Sequence, residues 1–247
     1  MRISLIFSTP NEENILLPLH YNKTVQGMIY NLVKEDLPEV HDYGYYVGNR
    51  VYRLFVFSRL FSKEVKINKG EISMKPPIEL NISSIMEEFI GSLSQAFFKV
   101  SRVKLGNNFL VPKTAKVLDE PDFNYGKFLF KALSPVTVYS TLNTGSGKKK
   151  TYYYHPREPE FGELLKENLM NKAKAMGILD VENRDFSLEN IKVNNKDQKI
   201  IYYGDTVIKG WMGLYQIAAD PLLLKLAYQT GVGSKNSQGF GMLGWVK

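Results

Sequence analysis

The chain has 247 residues, of which 44% are hydrophobic and 13% aromatic, and this suffices for two globular domains of about a hundred residues each. It contains no cysteine, which excludes disulfides, zinc sites with thiolate ligands and cysteine nucleophiles. Its net charge of +7 favours a polyanionic partner such as a nucleic acid.

The hydropathy pattern argues against membrane insertion or secretion. No window approaches the roughly 18 consecutive apolar residues that a membrane-spanning helix needs. The first residues, MRISLIFSTPNEEN, carry an apolar stretch too short for a signal peptide and no cleavage-site pattern. We therefore expect a cytoplasmic protein without a membrane partner.

The first half of the chain predicts the order β-α-β-β-α-β. Residues 2–8 predict a strand, and a helix that opens at Asn22 carries an apolar face at the i, i+3, i+4, i+7 spacing. That face consists of Val25, Met28, Ile29, Leu32 and Val33. Residues 51–61 predict a strand, 71–82 a strand or a strand pair interrupted at Pro76-Pro77, and 107–119 a last strand. A second helix is expected to begin at Ser83 with a serine N-cap.

The second half repeats this order. Residues 125–139, 186–193, 199–208 and 211–217 predict strands, and residues 160–176 predict a helix with one apolar face. A basic loop is expected at TGSGKKKTYYYH. The segment from Asp220 to Gly231 has an aspartate cap, a proline in the first turn and a glycine past its end, which predicts a helix. A short final strand, MLGWVK, closes the chain.

These patterns predict an α+β protein made of two tandem split β-α-β units. The turn-rich stretch LDEPDFN at residues 118–124 separates the two repeats. We expect one domain at residues 1–120 and a second at residues 121–247.

The C-terminal run GVGSKNSQGFGMLG, residues 231–244, has five glycines within fourteen positions. It fails the dinucleotide-binding fingerprint because Asn236 stands where the third glycine belongs and because a helix precedes it. The other glycine-rich stretch, TGSGKKKT, fails the P-loop pattern because Leu142 occupies the first glycine position. Neither stretch therefore predicts nucleotide hydrolysis.

What the run does offer is backbone amides and one lysine that could hold a phosphodiester. The residues expected to contact RNA are Gly231, Gly233, Ser234, Lys235, Asn236, Ser237, Gly239 and Gly241. The structural alternative is a helix C-cap followed by a bulged hairpin, which accounts for two of the glycines. A second candidate contact is the run that begins with Lys148, Lys149 and Lys150, because lysines interleaved with tyrosines suit single-stranded RNA. Its alternative is an exposed lysine loop.

Three stretches together carry a family resemblance: the glycine-rich run, LPLHYNKTVQGMIYNLV and RLFVFSRL. They resemble the CRISPR-associated endoribonucleases of the RAMP superfamily, which process precursor CRISPR RNA. The resemblance spans essentially the whole chain and implies two ferredoxin-like, RRM-like domains. It also implies metal-independent cleavage of repeat RNA without a cofactor, leaving a 5′-hydroxyl and a 2′,3′-cyclic phosphate.

Metal-free RNA cleavage uses the 2′-hydroxyl as nucleophile, so the protein supplies a base, an acid and positive charge. The acidic residues are scattered and form no metal-ligand constellation. The resemblance places the catalytic pair at Tyr30, within the QGMIYN helix, and at His41, just after it. Their structural alternatives are an interdomain tyrosine and a solvated loop histidine.

The third candidate is Arg53, which stands where relatives with this pair often carry a lysine. Arginine stabilises phosphorane charge but stays protonated at ordinary pH, so only an electrostatic role remains for it.

A catalytically silent RNA-binding subunit of a CRISPR effector complex is the alternative function, since such relatives share the fold and the loop. A generic protein with two RRM-like domains finds no support, because the aromatic RNP1 pattern is absent. Homodimer formation and membership of an effector complex stay open.

Overall fold

The computed structural model describes residues 1–37, 44–124, 126–143, 147 and 149–246. Its helices are α1 (Asn22–Val33), α2 (Glu87–Lys99), α3 (Pro159–Ala175) and α4 (Pro221–Thr230). Across these described ranges, no helix combines the length and apolar character needed to cross a lipid bilayer.

The strands lie before, between and after these helices. They are β1 (Arg2–Ser8), β2 (Ile15–Pro18), β3 (Tyr45–Val47), β4 (Arg50–Tyr52), β5 (Phe55–Phe57), β6 (Val65–Asn68), β7 (Glu71–Met74), β8 (Ile78–Ser84), β9 (Val103–Leu105), β10 (Asn108–Leu118), β11 (Gly126–Ala132), β12 (Tyr139–Asn143), β13 (Lys149–Tyr153), β14 (Phe186–Lys192), β15 (Gln198–Tyr203), β16 (Thr206–Trp211), β17 (Leu214–Ala219) and β18 (Leu243–Trp245).

The N-terminal unit is an antiparallel sheet in the order β5-β8-β1-β10-β9, with α1 and α2 packed on one face. The helices bury the stripe predicted from the periodicity, so Val25 and Ile29 lie against Leu5 and Phe7 of β1 in one core. The order β1-α1-β5-β8-α2-β10 is that of a ferredoxin-like domain.

The C-terminal unit repeats this arrangement. Its sheet has the order β14-β17-β11-β18, and α3 and α4 cover the face that carries Phe130 and Ile217. The prediction of two ferredoxin-like units is therefore confirmed. The proposed boundary between residues 120 and 121 falls in the segment that joins β10 to β11.

Several local predictions were wrong because turns interrupt strands of uniform composition. The strand expected at residues 199–208 is the hairpin β15–β16, which turns at Gly204 with φ +58°. Residues 51–61 divide into β4 and β5, and residues 125–139 end as a strand at Ala132. The expected basic loop contains strand β13, paired with β12.

The serine cap of the second helix was also wrong. Ser83 and Ser84 are buried at the end of β8, where they pair with β5, and Met86 is the N-cap of α2. The Ser84 hydroxyl accepts the Met86 N–H at 3.0 Å, so the serine supports the helix start from within the strand. The cap of α4 is confirmed, because the Asp220 carboxylate accepts the Leu222 N–H at 2.9 Å.

The two units meet where α4 ends against the outer face of the N-terminal sheet. Arg2, only 2% exposed, donates from Nη2 to the Tyr228 carbonyl at 2.6 Å and places its guanidinium 3.6 Å from the centre of the Tyr228 ring. Burial lowers the pKa of Arg2 to about 10, which still leaves it charged at neutral pH. A buried cation from β1 thus contacts the last turn of a helix in the other domain.

We expect Arg2→Met to lower the free energy of unfolding by about 2 kcal/mol, because a buried carbonyl loses a charged hydrogen-bond donor. Urea denaturation followed by circular dichroism measures this change. Arg102→Met, at an exposed position between α2 and β9, is the matched control. Equal denaturation midpoints for the two variants would show that Arg2 does not stabilise the domain contact.

Candidate nucleic-acid interface

The glycine-rich run leaves α4, forms a short 3-10 turn at Asn236–Gln238 and then enters β18. Two side chains of α1 hold it in place. Asn22 donates from Nδ2 to the carbonyls of Gln238 at 2.9 Å and Gly239 at 3.2 Å, and Gln26 donates from Nε2 to the Ser237 carbonyl at 2.7 Å. The run therefore lies directly beside the first helix.

Arg59 supports this contact from the strand side. Its Nη1 donates to Asn22 Oδ1 at 2.6 Å, and its guanidinium lies 3.9 Å from the centre of the Tyr21 ring. Asn22 is thereby oriented so that its amide nitrogen faces the loop. The sequence showed Asn22 only as a helix start and gave no sign of Arg59. The loop carbonyls that Asn22 binds lie more than 200 residues away in the chain, and Arg59 lies 37 residues from Asn22.

Packing explains more of the glycines than the sequence suggested. Four of them have positive φ and would each place a Cβ atom less than 3.0 Å from a neighbouring atom: Gly231, Gly233, Gly239 and Gly241. At Gly241, with φ +79°, the Cβ would overlap the Val232 carbonyl oxygen. At Gly239, with φ +84°, it would lie 2.5 Å from Cε2 of Phe57. Close packing therefore requires glycine here whether or not RNA is bound.

The expectation of a nest of backbone amides is wrong for several positions, because their N–H groups already donate within the protein. Ser234 donates to the Thr137 carbonyl at 2.8 Å, Gly239 to the Asn236 carbonyl at 3.0 Å and Gly241 to the Pro135 carbonyl at 2.9 Å. The buried Asn236 side chain ties the loop internally, with Nδ2 at 3.0 Å from the carbonyls of both Val232 and Phe240. These three amides are therefore not available to a ligand.

A groove of about 400 Å³ lies between residues 50–53 of the N-terminal unit, this loop and α3 and β12 of the C-terminal unit. It is lined by Arg50, Val51, Tyr52, Arg53, Tyr139, Thr141, Asn168, Lys172 and residues 233–238. Lys235 reaches over the Tyr139 ring, with its ammonium 5.3 Å from the ring centre, and burial lowers its pKa. Four basic residues, Arg50, Arg53, Lys172 and Lys235, thus border one groove.

Tyr30 lies at the end of α1, half-buried against Phe55 at a ring-centre distance of 5.8 Å. Its side chain is hydrogen-bonded to that of Ser237, and the phenol interacts electrostatically with the positive charge of Arg53. Burial raises the pKa of Tyr30, while the Arg53 charge and the Ser237 hydrogen bond oppose that rise. The structure therefore brings together Tyr30, Arg53 and the glycine-rich loop.

His41 lies outside the described residues, in the segment 38–43. Lys148 also lies outside them, whereas Lys149 and Lys150 are exposed at the start of β13. The hairpin β12–β13 begins at Tyr139, so its base borders the groove. Within the part of the chain that the structure describes, no three His, Asp or Glu side chains are grouped so as to hold a metal ion.

Lys172 was not identified from the sequence, where it appeared as one of several lysines on α3. Only 2% of it is exposed, and its Nζ donates to the carbonyls of Gly231 at 2.7 Å and Thr230 at 3.3 Å. It therefore fixes the point at which α4 ends and the loop begins. Burial lowers the pKa of Lys172 to about 7.

The family model for the C-terminal part of CRISPR-associated protein Cas6 matches residues 118–244, which include the second ferredoxin-like unit and the glycine-rich loop. The chain belongs to the Cas6 family. The family resemblance noted from the sequence is thus confirmed.

Individual Cas6 proteins match over the full length. The CRISPR-associated endoribonuclease Cas6 1 of Methanocaldococcus jannaschii is 28% identical over 249 residues, which cover 98% of this chain and 92% of the relative. A solved structure of a CRISPR-associated protein Cas6 superposes with a TM-score of 0.81 at 26% identity, covering 100% of this chain and 99% of the other. A RAMP protein described as binding different RNA substrates shares the fold, with a TM-score of 0.83 at 23% identity and complete coverage of both chains.

The lowered pKa of Lys172 predicts a pH dependence of stability. Burial takes this pKa from 10.5 to about 7, so between these values the unfolded chain keeps a proton that the folded chain has released. The free energy of unfolding contributed by this group therefore rises with pH across that window and is constant below it. We expect Lys172→Met to lose this rise in urea denaturation at about pH 7 and pH 9.

Lys166→Met is the control, because it removes a partly exposed lysine from the same helix and keeps the buried Lys172. The comparison uses the difference between each variant and the wild type, because tyrosines also titrate near pH 10. A pH slope in Lys172→Met that equals the wild-type slope would contradict the assignment.

Proposed function

We propose that this chain is an endoribonuclease that cuts the repeat sequence of precursor CRISPR RNA to release mature CRISPR RNAs. Its membership of the Cas6 family supports this, and so does a full-length relative that is itself named an endoribonuclease. The observation that carries the proposal is the junction of Tyr30, Arg53 and Ser237 of the glycine-rich loop beside a basic groove.

The groove suits the backbone of an RNA strand. Arg50, Arg53 and Lys235 supply positive charge, which gives affinity that does not depend on sequence and weakens with salt. Lys149 and Lys150 would extend this charge along the β12–β13 hairpin, away from the reacting phosphate, and Lys148, which precedes them in the sequence, enters the proposal from the sequence alone. Ser237 and Ser234 add hydroxyl groups that can contact phosphate oxygens.

The proposed reaction is an internal transesterification. The ribose 2′-hydroxyl attacks the adjacent phosphorus, the bond to the 5′-oxygen breaks, and the products carry a 2′,3′-cyclic phosphate and a 5′-hydroxyl. Burial keeps Tyr30 protonated at neutral pH, so the phenol donates a hydrogen bond or a proton to the oxygens of the reacting phosphate. Its hydrogen bond to Ser237 orients the phenolic oxygen of Tyr30.

Arg53 stabilises the negative charge that accumulates on the phosphorane, and it does so by charge alone. His41, which enters the proposal from the family resemblance, takes the proton from the 2′-hydroxyl, as an imidazole can near neutral pH. The glycine-rich loop contributes the side chains of Lys235 and Ser237.

The chemistry predicts that one hydroxyl is essential. Replacing the 2′-hydroxyl upstream of the scissile phosphate with hydrogen should abolish cutting and leave binding nearly unchanged, because most contacts are to phosphates and bases elsewhere. Labelled repeat RNA on denaturing gels, with gel-shift titration alongside, measures both. Excess EDTA should leave the rate unchanged. Cutting of the deoxy substrate, or loss of activity in EDTA, would overturn the proposed mechanism.

Tyr30→Phe and His41→Ala should each lower the single-turnover cleavage rate by about a hundredfold or more, the usual effect of removing a general acid or base. RNA affinity should change little. Tyr202→Phe, at a half-exposed tyrosine of β15, is the control. Wild-type rates in either variant would remove that residue from the site, and RNA binding without any cutting by the wild type would favour the silent-subunit alternative.

A further inference from the structure

The hairpin β15–β16 packs directly on the glycine-rich loop. Its residues Ile201 and Ile208 form one buried apolar cluster with Phe240 of the loop, and the half-buried Tyr203 packs against the same cluster. No step of the proposed reaction uses this hairpin, although it contacts the loop that carries Ser237. A role for the hairpin in the site would therefore be transmitted through the loop or through α1.

Tyr203, at the end of β15, reaches α1 as well. Its hydroxyl donates to Oε1 of Gln26, while Nε2 of Gln26 donates to the Ser237 carbonyl at 2.7 Å. A backbone carbonyl only accepts hydrogen bonds, so the Ser237 carbonyl determines which end of the amide faces the loop. The Gln26 side chain is therefore held at both ends, with its oxygen on the hairpin and its nitrogen on the loop.

Ser237 is held at two points by one face of α1. Gln26 and Tyr30 are four residues apart on this helix, so their side chains lie one turn from each other on the same face. Gln26 binds the Ser237 carbonyl, and the Tyr30 side chain is hydrogen-bonded to the Ser237 side chain. A displacement of the Ser237 backbone would therefore move the group that orients the phenolic oxygen of Tyr30.

Tyr203 also lies within electrostatic range of the groups proposed to act on the phosphate. Burial raises the pKa of Tyr203, the negative charge of an ionised Tyr30 raises it further, and the positive charge of Arg53 lowers it. The preceding residue, Tyr202, points to the other face of the strand, where its ring lies 4.7 Å from that of His20. Two adjacent tyrosines of β15 thus have different surroundings.

We propose that Tyr203 is a positioning residue that aligns Tyr30 for RNA cleavage. It acts through the Gln26 network, the series of hydrogen bonds that runs from the Tyr203 hydroxyl through Gln26 and Ser237 to the phenol. Without that hydroxyl, the amide oxygen of Gln26 loses its donor, and the side chain is free to turn away from the Ser237 carbonyl. This inference rests on the proposed function for the reaction that Tyr30 serves.

Tyr203→Phe keeps the ring against the apolar cluster and removes only the hydroxyl. We expect the single-turnover cleavage rate on repeat RNA to fall about threefold to tenfold, the factor that corresponds to loss of one neutral hydrogen bond. The dissociation constant for RNA, measured by fluorescence anisotropy, should not change. Gln26→Met, which removes the amide at similar length, should slow cleavage at least as much. Tyr202→Phe is the matched control, and a wild-type rate in Tyr203→Phe would overturn the proposal.

A double-mutant cycle separates positioning of Tyr30 from a general structural effect. If Tyr203 acts through Tyr30, adding Tyr203→Phe to Tyr30→Phe should cause no further loss of rate, because the group that it aligns is already gone. A loss as large in the Tyr30→Phe background as in the wild type would contradict positioning. Thermal unfolding of each variant identifies any loss of rate that comes from unfolding at the assay temperature.

A second measurement follows Tyr30 without RNA cleavage. In protein that is isotope-labelled at Cζ of every tyrosine, the nuclear magnetic resonance signal of Tyr30 is assigned by its absence in Tyr30→Phe. Tyr203→Phe and Gln26→Met should each shift this signal, because the hydrogen bond to Ser237 is altered, whereas Tyr202→Phe should leave it in place. An unchanged Tyr30 signal in Tyr203→Phe would overturn the Gln26 network even if the cleavage rate fell.

The outcomes for the Gln26 network and for the nuclease are distinct. A wild type that cuts RNA, with a Tyr203→Phe variant that cuts equally well, would overturn the role of Tyr203 and leave the nuclease proposal standing. A wild type that never cuts would overturn the nuclease, and a Tyr30 signal that shifts in Tyr203→Phe would still support the network.

Discussion

The carbonyl groups at the end of α4 are the point on which the rest of the site depends. The last turn of a helix leaves carbonyls without intrahelical donors and carries the negative end of the helix dipole. Here two buried basic side chains satisfy them: Arg2 donates to the Tyr228 carbonyl, and Lys172 donates to those of Thr230 and Gly231. Arg2 comes from the N-terminal sheet and Lys172 from the C-terminal unit, so one helix end joins both domains and orients the start of the loop.

The other side of the loop is held by neutral groups. Asn22 and Gln26, one turn apart on α1, donate from uncharged amide nitrogens to three consecutive carbonyls, those of residues 237–239. Because the loop is anchored on both domains, the position of Ser237 against Tyr30 reports the relative placement of the two units. Four glycines allow the loop to follow this path at close range.

Local sequence patterns were sufficient to predict those elements whose secondary structure is determined by residues within the element itself. The apolar stripe of α1 is a pattern within a single helix, and so is the set of aspartate, proline and glycine residues around α4. The structure contains both helices where these patterns predicted them. Strand breaks were missed because β-branched and aromatic residues stand on both sides of them. The break at Arg53-Leu54, for example, lies between the sequence RVY of β4 and FVF of β5. The serine cap failed because Ser83 and Ser84 suit a strand end equally well.

The residues of the candidate site also fall into two groups, those that the sequence could predict and those that depend on contacts made in the folded protein. Tyr30 and Arg53 could be named from family motifs, and the structure places them together. Whether a loop amide is available for a ligand depends on partners such as Thr137 and Pro135, which no local pattern reveals. Arg59 and Lys172 were missed because each acts through a contact that folding creates between distant segments. The role of His41 stays a prediction.

The bonds between Asn22 and the glycine-rich loop have a consequence for how the protein is made. They join residues separated by 217 positions in a chain of 247, so they form only after nearly the whole sequence has been synthesised. Contacts of such long range are slow to form and come late in folding. Since domains fold in order from the ribosome, the N-terminal unit completes its core while Tyr30 still lacks Ser237. A nascent or truncated chain that lacks the glycine-rich loop therefore carries Tyr30, the proposed catalytic tyrosine, in a folded domain without its loop partner, and the site assembles only once the loop has been made.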